Sequence, residues 1–427
     1  MIIGIDASRA NKKIKSGTEY YSYYLIRNLA KIDSKNQYIL YTNEPLQCGL
    51  LDLTTEDDTR CSCPKPEFDK EGYQIIKSPY NNFSGKVLKW PWHHFWTIGR
   101  LSLEMIFNKP DILFVPAHSL PLVVPPKTVN TIHDIAFERE EKVYDSEAVN
   151  KKSGKKMKLV NFLVYFFTLR KYKSSHLDHL RWSTRKAIKK AKKIITVSNF
   201  TKKEIIDIYQ LNDKYKNKIE VVYNGFNNKL YKEKKDEDKI SETLSKHNIE
   251  KPYILYVGRL EKKKNTPALI EAFAKSQARR RDGLKLVILG FGSFGSDEVN
   301  YIINDLELEE DVIMPGWVDE QDMPYIYNGS EAFIFPSKHE GFGIPVIQSM
   351  NCGVPVACSD IPVLREVAQD AAWFFCPHNY NSIKEAIDKI FYDRELRKKL
   401  KERGIKRAKY FNWEKCARDT LQVLDNC

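Results

Sequence analysis

The chain has 427 residues, of which 42% are apolar, so its composition excludes wholesale disorder and its length predicts two domains. No apolar run approaches the roughly 18 residues of a membrane-spanning helix, and the opening MIIGIDAS lacks the features of a signal peptide, so we expect a cytoplasmic protein. The net charge of +13 is carried by the first half, since residues 1–227 hold 38 Lys+Arg against 24 Asp+Glu.

Short apolar runs bounded by turn residues recur along the chain and predict the buried strands of parallel sheets. The runs lie at 2–6, 38–42, 111–117, 128–134, 193–198 and 219–225, and again at 253–258, 284–290, 311–316, 331–337, 353–359 and 371–375. Amphipathic patterns alternate with them, as at 18–32 and 268–277, and predict helices. The alternation predicts an α/β fold with two separate sheets of about six strands each.

A charge-rich stretch at 229–251 separates the two sets of predicted strands. We place the domain boundary at its start, which gives an N-terminal domain over 1–228 and a C-terminal domain over 229–400. The last segment, 401–427, is predicted to be helical and to return to the first domain.

Eight cysteines occur, and their surroundings argue against a metal site. Cys61 and Cys63 are one residue apart, which is not the spacing of a zinc knuckle, and several others lie in apolar stretches. In a cytoplasmic protein this pattern predicts reduced thiols.

The first candidate site follows the strand at 253–258. Gly258 ends that strand and would let a ligand approach the backbone, and Arg259 and Lys264 flank the following turn. Two cations in such a turn can neutralise a diphosphate. The alternative is a solvated basic turn.

The second candidate site follows the strand at 331–337. Glu340 stands at its end, glycines at 341 and 343 free backbone N–H groups before a helix, and Gln348 lies one to two turns into that helix. A helix N-terminus with a carboxylate and an amide suits an anion or the hydroxyls of a sugar. On its own, however, a carboxylate in a turn is more often a helix cap.

His133 and Asp134 close a strand of the first domain, where side chains face a ligand in open α/β sheets. A structural histidine bonded to nearby backbone is the alternative. Gly17, in a loop that opens a helix, weakly resembles a phosphate-facing turn. The spacing G-x-G-x-x-G at Gly290 matches a dinucleotide motif, but it falls at the second βα step of its domain, so dinucleotide binding is not predicted.

Taken together, these segments resemble the retaining glycosyltransferases of the GT-B fold, in the large family 4 that includes mannosyl- and glucosyltransferases. The resemblance is carried by SGTEYYSYYLIRNLAKID, TIHDIAFE, TVSNFTKKEI, VVYNGF, YVGRLEKKKN, MPGWVDEQDMP and PSKHEGFGIPVIQSMNCGVPVACSDIPVLREV. Their order and spacing are more specific than any one segment. The resemblance implies an α/β protein of two Rossmann-like domains whose parallel sheets face one another across a cleft.

The family implies roles for the matching residues. Glu340 would contact the transferred hexose and His133 would lie by the anomeric carbon and the acceptor, so these two are the predicted catalytic residues. The implied donor-binding residues are Gly17, Asp134, Ser198, Gly258, Arg259, Lys264, Gly290, Val318, Phe342, Gly343, Ile344 and Gln348. Among them, Arg259 and Lys264 would bind the diphosphate and Val318 would line the base pocket.

One position departs from the family, which has two glutamates separated by seven residues. The second is Gln348 here, and its amide can bind a ribose diol without the charge-assisted bond of a carboxylate. The implied reaction is retaining transfer of a mannose- or glucose-type hexose from a GDP- or UDP-sugar, with no further cofactor and no metal. Two alternatives stay open, namely a catalytically weak GT-B scaffold that binds a nucleotide sugar or a partner, and a nucleotide-sugar epimerase or phosphorylase on the same fold.

The acceptor is inferred from residues 151–193, where apolar and aromatic side chains alternate with lysine clusters. Such a composition is typical of an interfacial helix on anionic lipid, which predicts peripheral contact with the inner face of the membrane. A glycan or lipid-linked acceptor of envelope polysaccharide or glycolipid synthesis would follow. The alternative is a helix packed on its own domain. No nucleic-acid-binding module accompanies the charge, so nucleic acid is not an expected partner.

Overall fold

The structure is a computed structural model that describes residues 1–55, 65–91, 96–139, 176–290 and 295–427. The chain forms two compact units, one of Met1–Gly225 with Trp413–Cys427 and the other of Phe226–Asn412. The chain therefore passes from one unit to the other after residue 225 and again after residue 412. The predicted boundaries follow residues 228 and 400. Of the segment predicted to contact the membrane, residues 151–175 lie outside the described residues.

The first unit is built on an eight-stranded sheet with the order β3-β4-β2-β1-β5-β6-β7-β8. The strands are β1 (Ile2–Asp6), β2 (Gln37–Thr42), β3 (Gln74–Ile75), β4 (Phe83–Val87), β5 (Ile112–Val115), β6 (Thr128–Ile132), β7 (Lys193–Thr196) and β8 (Ile219–Val221). All neighbours are parallel except β3, which runs antiparallel to β4. β5 is buried along its whole length, as a central strand covered on both faces must be.

The described helices within Met1–Gly225 are α1 (Gly17–Ile32), α2 (Cys48–Leu51), α3 (Arg100–Phe107), α4 (His176–Lys190), α5 (Asn199–Ile208) and α6 (Asp213–Lys216). α1 begins in a capping box, in which Glu19 and Ser16 satisfy the first backbone N–H groups. A short 3₁₀ turn, Ala136–Glu138, follows β6. Among the described helices, none combines the length and apolar character needed to cross a membrane.

The second unit contains a six-stranded, wholly parallel sheet with the order β11-β10-β9-β12-β13-β14. Its strands are β9 (Tyr253–Val257), β10 (Lys285–Leu289), β11 (Val312–Ile313), β12 (Ala332–Phe335), β13 (Val356–Ser359) and β14 (Ala372–Phe375). Its helices are α7 (Glu237–Lys246), α8 (Thr266–Ala274), α9 (Gln277–Asp282), α10 (Ser296–Asp305), α11 (Met323–Gly329), α12 (Ile344–Asn351), α13 (Pro362–Ala368), α14 (Tyr380–Tyr392) and α15 (Arg394–Ala408). The prediction of two Rossmann-like domains with parallel sheets is confirmed.

The final helix, α16 (Trp413–Asp425), belongs to the first unit and packs on α1. The Trp413 indole stacks on Tyr24, with ring centroids 5.5 Å apart, and meets Tyr21 edge-on. Residues 401–412 lie in the second unit, so the part of the C-terminal segment that packs on α1 begins at Trp413.

Two sequence-based expectations need correction. The first sheet has eight strands rather than about six. The two additional strands are β3, which has only two residues, and β4 (FSGKV), which mixes buried and half-buried positions and therefore shows no apolar run. The thiols are not all reduced, because Cys48 is disulfide-bonded, whereas the free cysteines include Cys352, Cys358 and Cys416. That expectation rested on the inferred compartment, which does not decide whether two thiols come within bonding distance. Cys61 and Cys63 lie outside the described residues.

Each sheet has a point where the strand order reverses. In the second sheet the chain runs outward from β9 through β10 to β11, then returns to β12 on the other side of β9. In the first sheet the corresponding point lies between β1 and β5. In open α/β sheets, ligands bind beside the carboxyl ends of strands at such switch points.

Candidate functional site

The loop after β9 presents a cation at the switch point of the second sheet. Arg259 is exposed, and its guanidinium lies 2.9 Å from the Glu261 carboxylate. The Tyr256 hydroxyl donates to the Arg259 carbonyl at 3.1 Å and fixes the turn. A Cβ at Gly258 would lie 2.8 Å from that same hydroxyl, so a residue without a side chain fits here. The turn therefore offers a restrained backbone and a solvent-facing guanidinium.

The loops after β9 and β12 meet through an ion pair between Lys264 and Glu340. Lys264 Nζ lies 2.6 Å from Glu340 Oε1, and the two side chains are only 15% and 10% exposed. The backbone fixes the same junction, because the Lys263 carbonyl accepts from the Lys338 N–H at 2.8 Å and from the Ser337 hydroxyl at 3.2 Å. The structure thus brings together two predicted site residues that are 76 positions apart in the chain.

The turn after Glu340 leads directly into α12. Gly343 precedes the helix with φ of +96°, in the left-handed region, and a Cβ there would lie 2.8 Å from Leu364 Cδ2. Phe342 is buried edge-on against Phe411, with ring centroids 5.4 Å apart. α12 therefore begins beside the turn that carries the carboxylate. Pro345 has no N–H and the Val346 N–H donates to the Gly343 carbonyl at 3.0 Å, so of the first three residues of the helix only Ile344 can offer its N–H to a ligand. Gln348 lies further along α12 and is half-buried.

The glycines of the G-x-G-x-x-G spacing have a packing explanation. A Cβ at Gly290 would lie 2.0 Å from the Gly258 carbonyl oxygen, so the end of β10 can approach the β9 loop only without a side chain. Gly295 has φ of +94° and similarly approaches the Leu260 carbonyl. The middle glycine, Gly292, lies outside the described residues. Gly290 thus shapes the backbone next to Arg259.

The segment after β11 carries the predicted base-pocket residue. Val318 is buried, and it follows Gly316, which has φ of +80° and open space around it. Between them, Trp317 is 57% exposed. Sequence reasoning did not single out Trp317, although a tryptophan in a turn after a predicted strand was a usable signal.

In the first unit, His133 lies half-buried after β6. Its Nε2 lies 3.3 Å from the Pro116 carbonyl, and its ring meets Tyr21 edge-on at 4.6 Å. Burial is the main cause that lowers the pKa of His133 below its ordinary value, so the ring is neutral at pH 7. A carbonyl can only accept, so Nε2 carries the proton and Nδ1 is left as an acceptor.

The other predicted residues of the first unit lie at loop and helix starts. Asp134 accepts a hydrogen bond from the Ala136 N–H at 3.2 Å. Ser198 is fully buried and caps α5 by accepting from the Thr201 N–H at 3.1 Å, which accounts for a serine at that position. Gly17 is the first residue of α1 and is exposed, with no atom near the place of a Cβ.

Two groups at the switch point of the first sheet were missed by sequence reasoning. Asp6 ends β1, where burial raises its pKa although Ser8 and Thr97 donate hydrogen bonds to it. His118 follows β5, and its Nε2 lies 2.6 Å from Thr184 Oγ1. Burial lowers the pKa of His118 to about 4. The pairing with Thr184 spans 66 positions, so no local pattern could have indicated it.

Acidic side chains of the first unit also shape the start of α1. Glu19 is buried and is paired with Arg9 at 3.0 Å and with Lys12 at 3.3 Å. Burial opposes its ionisation, but hydrogen bonds from Ser16 and Arg9 and the two cations outweigh it and hold its pKa at about 2.

Within the described ranges, no group of three or more His, Cys, Asp or Glu side chains is arranged to hold a metal ion.

Two family models match the chain. The model described as "Glycosyltransferase Family 4" matches residues 16–229, and that described as "Glycosyl transferases group 1" matches residues 237–407. Together they span both compact units.

Curated relatives are similar over much of the chain. The O-antigen chain mannosyltransferase RfbU of Salmonella typhimurium is 25% identical over 86% of this chain and 90% of its own length. The O-antigen chain mannosyltransferase B of Escherichia coli is 28% identical over 61% of this chain and 68% of its own. A Campylobacter jejuni N-acetylgalactosamine-N,N'-diacetylbacillosaminyl-diphospho-undecaprenol 4-alpha-N-acetylgalactosaminyltransferase is 34% identical over 55% of this chain and 60% of its own.

Solved structures share the fold over the whole chain. WaaG, a glycosyltransferase involved in lipopolysaccharide biosynthesis, superposes with a TM-score of 0.66 at 13% identity, and all of both chains is covered. Anabaena HepE in complex with UDP-glucose has a TM-score of 0.65 at 15% identity, over all of this chain and 99% of the other.

Proposed function

This chain belongs to glycosyltransferase family 4 and is a glycosyltransferase, and from that premise we propose that it is a retaining hexosyltransferase that uses a nucleotide sugar. The observation that carries the proposal is the ion pair of Lys264 with Glu340 at the switch point between β9 and β12. It places a cation suited to a diphosphate against a carboxylate suited to sugar hydroxyls.

The leaving diphosphate needs positive charge when the bond to the sugar breaks. We propose that Arg259 and Lys264 supply it, together with the Ile344 N–H at the start of α12. Gly258 and Gly290 would contribute to this site through the backbone, because their lack of side chains lets the ends of β9 and β10 lie close together beside Arg259. Each cation contacts a carboxylate, Glu261 for Arg259 and Glu340 for Lys264, so the donor phosphates would partly replace these contacts.

The sugar and nucleoside would lie along the β12 loop and α12. We propose that Glu340 binds hydroxyls of the transferred hexose and that the backbone of Phe342, Gly343 and Ile344 contacts sugar and phosphate. Gln348 would bind the ribose hydroxyls, with Val318 lining the base pocket. Support comes from burial, since Glu340 and Val318 are each only 8% exposed and a desolvated site strengthens polar contacts.

In the first unit, we propose that His133 serves the acceptor and the reacting centre. Neutral His133 keeps Nδ1 as an acceptor for a hydroxyl proton. Gly17, Asp134 and Ser198 complete the proposed donor-binding set. Retention is an implication of the family, in which the acceptor is read as attacking from the face that the diphosphate leaves.

The proposed sugar and acceptor come from the relatives. Two are named O-antigen chain mannosyltransferases, which supports transfer of mannose in envelope polysaccharide synthesis. A third acts, by its name, on a diphospho-undecaprenol compound, which supports a lipid-linked acceptor. The UDP-glucose complex of HepE supports a nucleotide-sugar donor, and we propose GDP- or UDP-sugars as candidates. A peripheral position at the inner face of the membrane goes with such an acceptor.

Gln348 favours one second candidate, a catalytically weak scaffold that binds a nucleotide sugar. The two candidates differ in turnover but not in donor binding. An epimerase on the same fold would convert the donor without any acceptor, and analysis of the nucleotide sugar after incubation would reveal it.

The experiment is a thermal-shift panel of GDP-, UDP- and ADP-sugars with matched lysine variants. One donor should raise the melting temperature of the wild type by linkage. Lys264→Ala should abolish most of that rise, whereas Lys262→Ala, an exposed lysine in the same turn, should retain it. Equal shifts in both variants, or none with any donor in the wild type, would contradict the proposed donor site.

A further inference from the structure

The large exposed apolar side chains are divided unequally between the two units. In the described part of the second unit they are all Tyr or Trp, which carry a polar group. Every exposed Leu, Ile, Val, Phe and Met of the described residues belongs to the first unit. Single exposed apolar side chains are ordinary, but a contiguous group marks an interaction surface.

Five of these side chains lie on two segments that are hydrogen-bonded to each other, and they are here called the α3 patch: Leu103, Ile106 and Phe107 on α3, and Leu122 and Val123 on the loop after β5. The loop is held to the helix because Ser102 Oγ accepts from the Leu122 N–H at 2.6 Å and from the Val123 N–H at 3.3 Å. Phe107 is the most exposed member, at 77%.

α3 is apolar on two faces rather than one. Leu101 and Met105 are buried in the core of the first unit. Leu103, Ile106 and Phe107, at spacings of three and four, form a second apolar face in solvent. A surface helix that served only its own domain would carry polar residues there, so the sequence of α3 indicates a second apolar environment.

The charge of the chain is concentrated in the same unit. The first unit holds 40 Lys+Arg against 27 Asp+Glu, whereas the second holds 29 of each. Lysines also flank the α3 patch: exposed Lys109 follows Phe107, exposed Lys127 follows Val123, and Lys186 Nζ donates to the Pro121 carbonyl at 2.6 Å. The environment that complements the patch is therefore apolar within and anionic at its rim.

We propose that the α3 patch docks on the surface of an anionic lipid bilayer. The apolar side chains enter the boundary between headgroups and acyl chains, and Lys109, Lys127 and Lys186 contact lipid phosphates. This surface consists of described residues and is distinct from 151–175. Its use in catalysis rests on the proposed function, because a lipid-linked acceptor would be reached at that surface. Docking itself requires neither donor nor acceptor.

The test is co-sedimentation of the full chain with vesicles of phosphatidylglycerol and phosphatidylethanolamine, compared with pure phosphatidylcholine. The wild type should bind the anionic vesicles and release them as salt is raised. The double variant Ile106→Ser, Phe107→Ser should have a partition coefficient onto anionic vesicles at least tenfold lower than that of the wild type. Its melting temperature should be unchanged. The matched control, Tyr301→Ser, removes an aromatic side chain that is 68% exposed in the second unit and should bind like the wild type.

Three results would overturn the proposal. One is a wild type that ignores anionic vesicles, and another is a double variant that still binds them as the wild type does. The third is evidence that the patch is packed on protein. Either a melting temperature that falls by several degrees in the double variant, or the loss of a concentration-dependent dimer, would be such evidence. Donor binding is measured without vesicles, so its failure is distinguishable from failure of docking.

Discussion

At the residue scale, the ion pair of Lys264 and Glu340 sets the character of the candidate donor site. Both side chains are largely shielded from solvent, so each charge depends on the other more than in an exposed pair. Removing either one leaves an unpaired, poorly solvated charge. Glu340→Gln is therefore a better probe of the carboxylate than Glu340→Ala, since its amide oxygen can still accept from Lys264.

A substitution at Gln348 is predicted to increase the affinity for the donor. If residue 348 binds the ribose hydroxyls, Gln348→Glu restores a charge-assisted hydrogen bond, and donor dissociation constants should fall about fivefold, on the order of 1 kcal/mol. Calorimetric titration with the donor measures this directly. Gln422→Glu, an exposed glutamine on α16, is the control that adds the same charge elsewhere. Unchanged affinity in Gln348→Glu would place the ribose away from this residue.

His118 predicts a pH dependence of stability. Burial lowers its pKa to about 4, while the unfolded chain takes up the proton near the ordinary value of about 6.5. Between these values only the unfolded state is protonated, so the free energy of unfolding falls as pH falls, by about 3 kcal/mol at most. When the pH is lowered from 6.5 to 4, the melting temperature of His118→Asn should fall less than that of the wild type. His378→Asn, at an exposed position, is the control, and its melting temperature should change with pH as that of the wild type does. If the melting temperatures of all three proteins fell in parallel, protonation of His118 would not be the cause of the pH dependence.

At the scale of elements, the site depends on how α12 begins. Gly343→Ala should destabilise the protein by about 2–3 kcal/mol, because the added methyl meets both a left-handed φ and Leu364. Gly283→Ala is the control, since that residue also has positive φ but has open space around it, so it should cost only about 1 kcal/mol. Urea unfolding of the two variants gives the comparison. Equal losses would mean that contact with Leu364 does not fix the turn.

The elements also show how far sequence reasoning reaches. All six strands of the second sheet were predicted, because each lies in a short apolar run bounded by turn residues. β4 was missed because its burial is partial and its sequence polar. The placement of Arg259, Lys264 and Glu340 at one edge of the sheet could be predicted because each follows a predicted strand. Their roles in binding stay a prediction. Asp6 and His118 were missed because their partners, Thr97 and Thr184, are distant in sequence.

At the scale of the whole molecule, the two units differ in chemistry as well as in sequence. The second unit is electrically balanced and contains the proposed diphosphate and sugar contacts on one sheet edge. The first contains the excess positive charge, the neutral histidines after β5 and β6, and the α3 patch. This division is consistent with a second unit that holds the donor and a first unit that meets the acceptor and its membrane.

Transfer of a hexose from a nucleotide sugar by this protein is tested most directly by donor turnover. The purified chain is incubated with GDP-mannose, UDP-glucose or related donors and a diphospho-lipid acceptor, and both nucleoside diphosphate release and the anomer of the product are followed. We predict turnover of one donor with retention, and a loss of about 100-fold or more in turnover in Glu340→Gln without loss of folding. Turnover that is unaffected in Glu340→Gln, or a product of inverted configuration, would contradict this prediction.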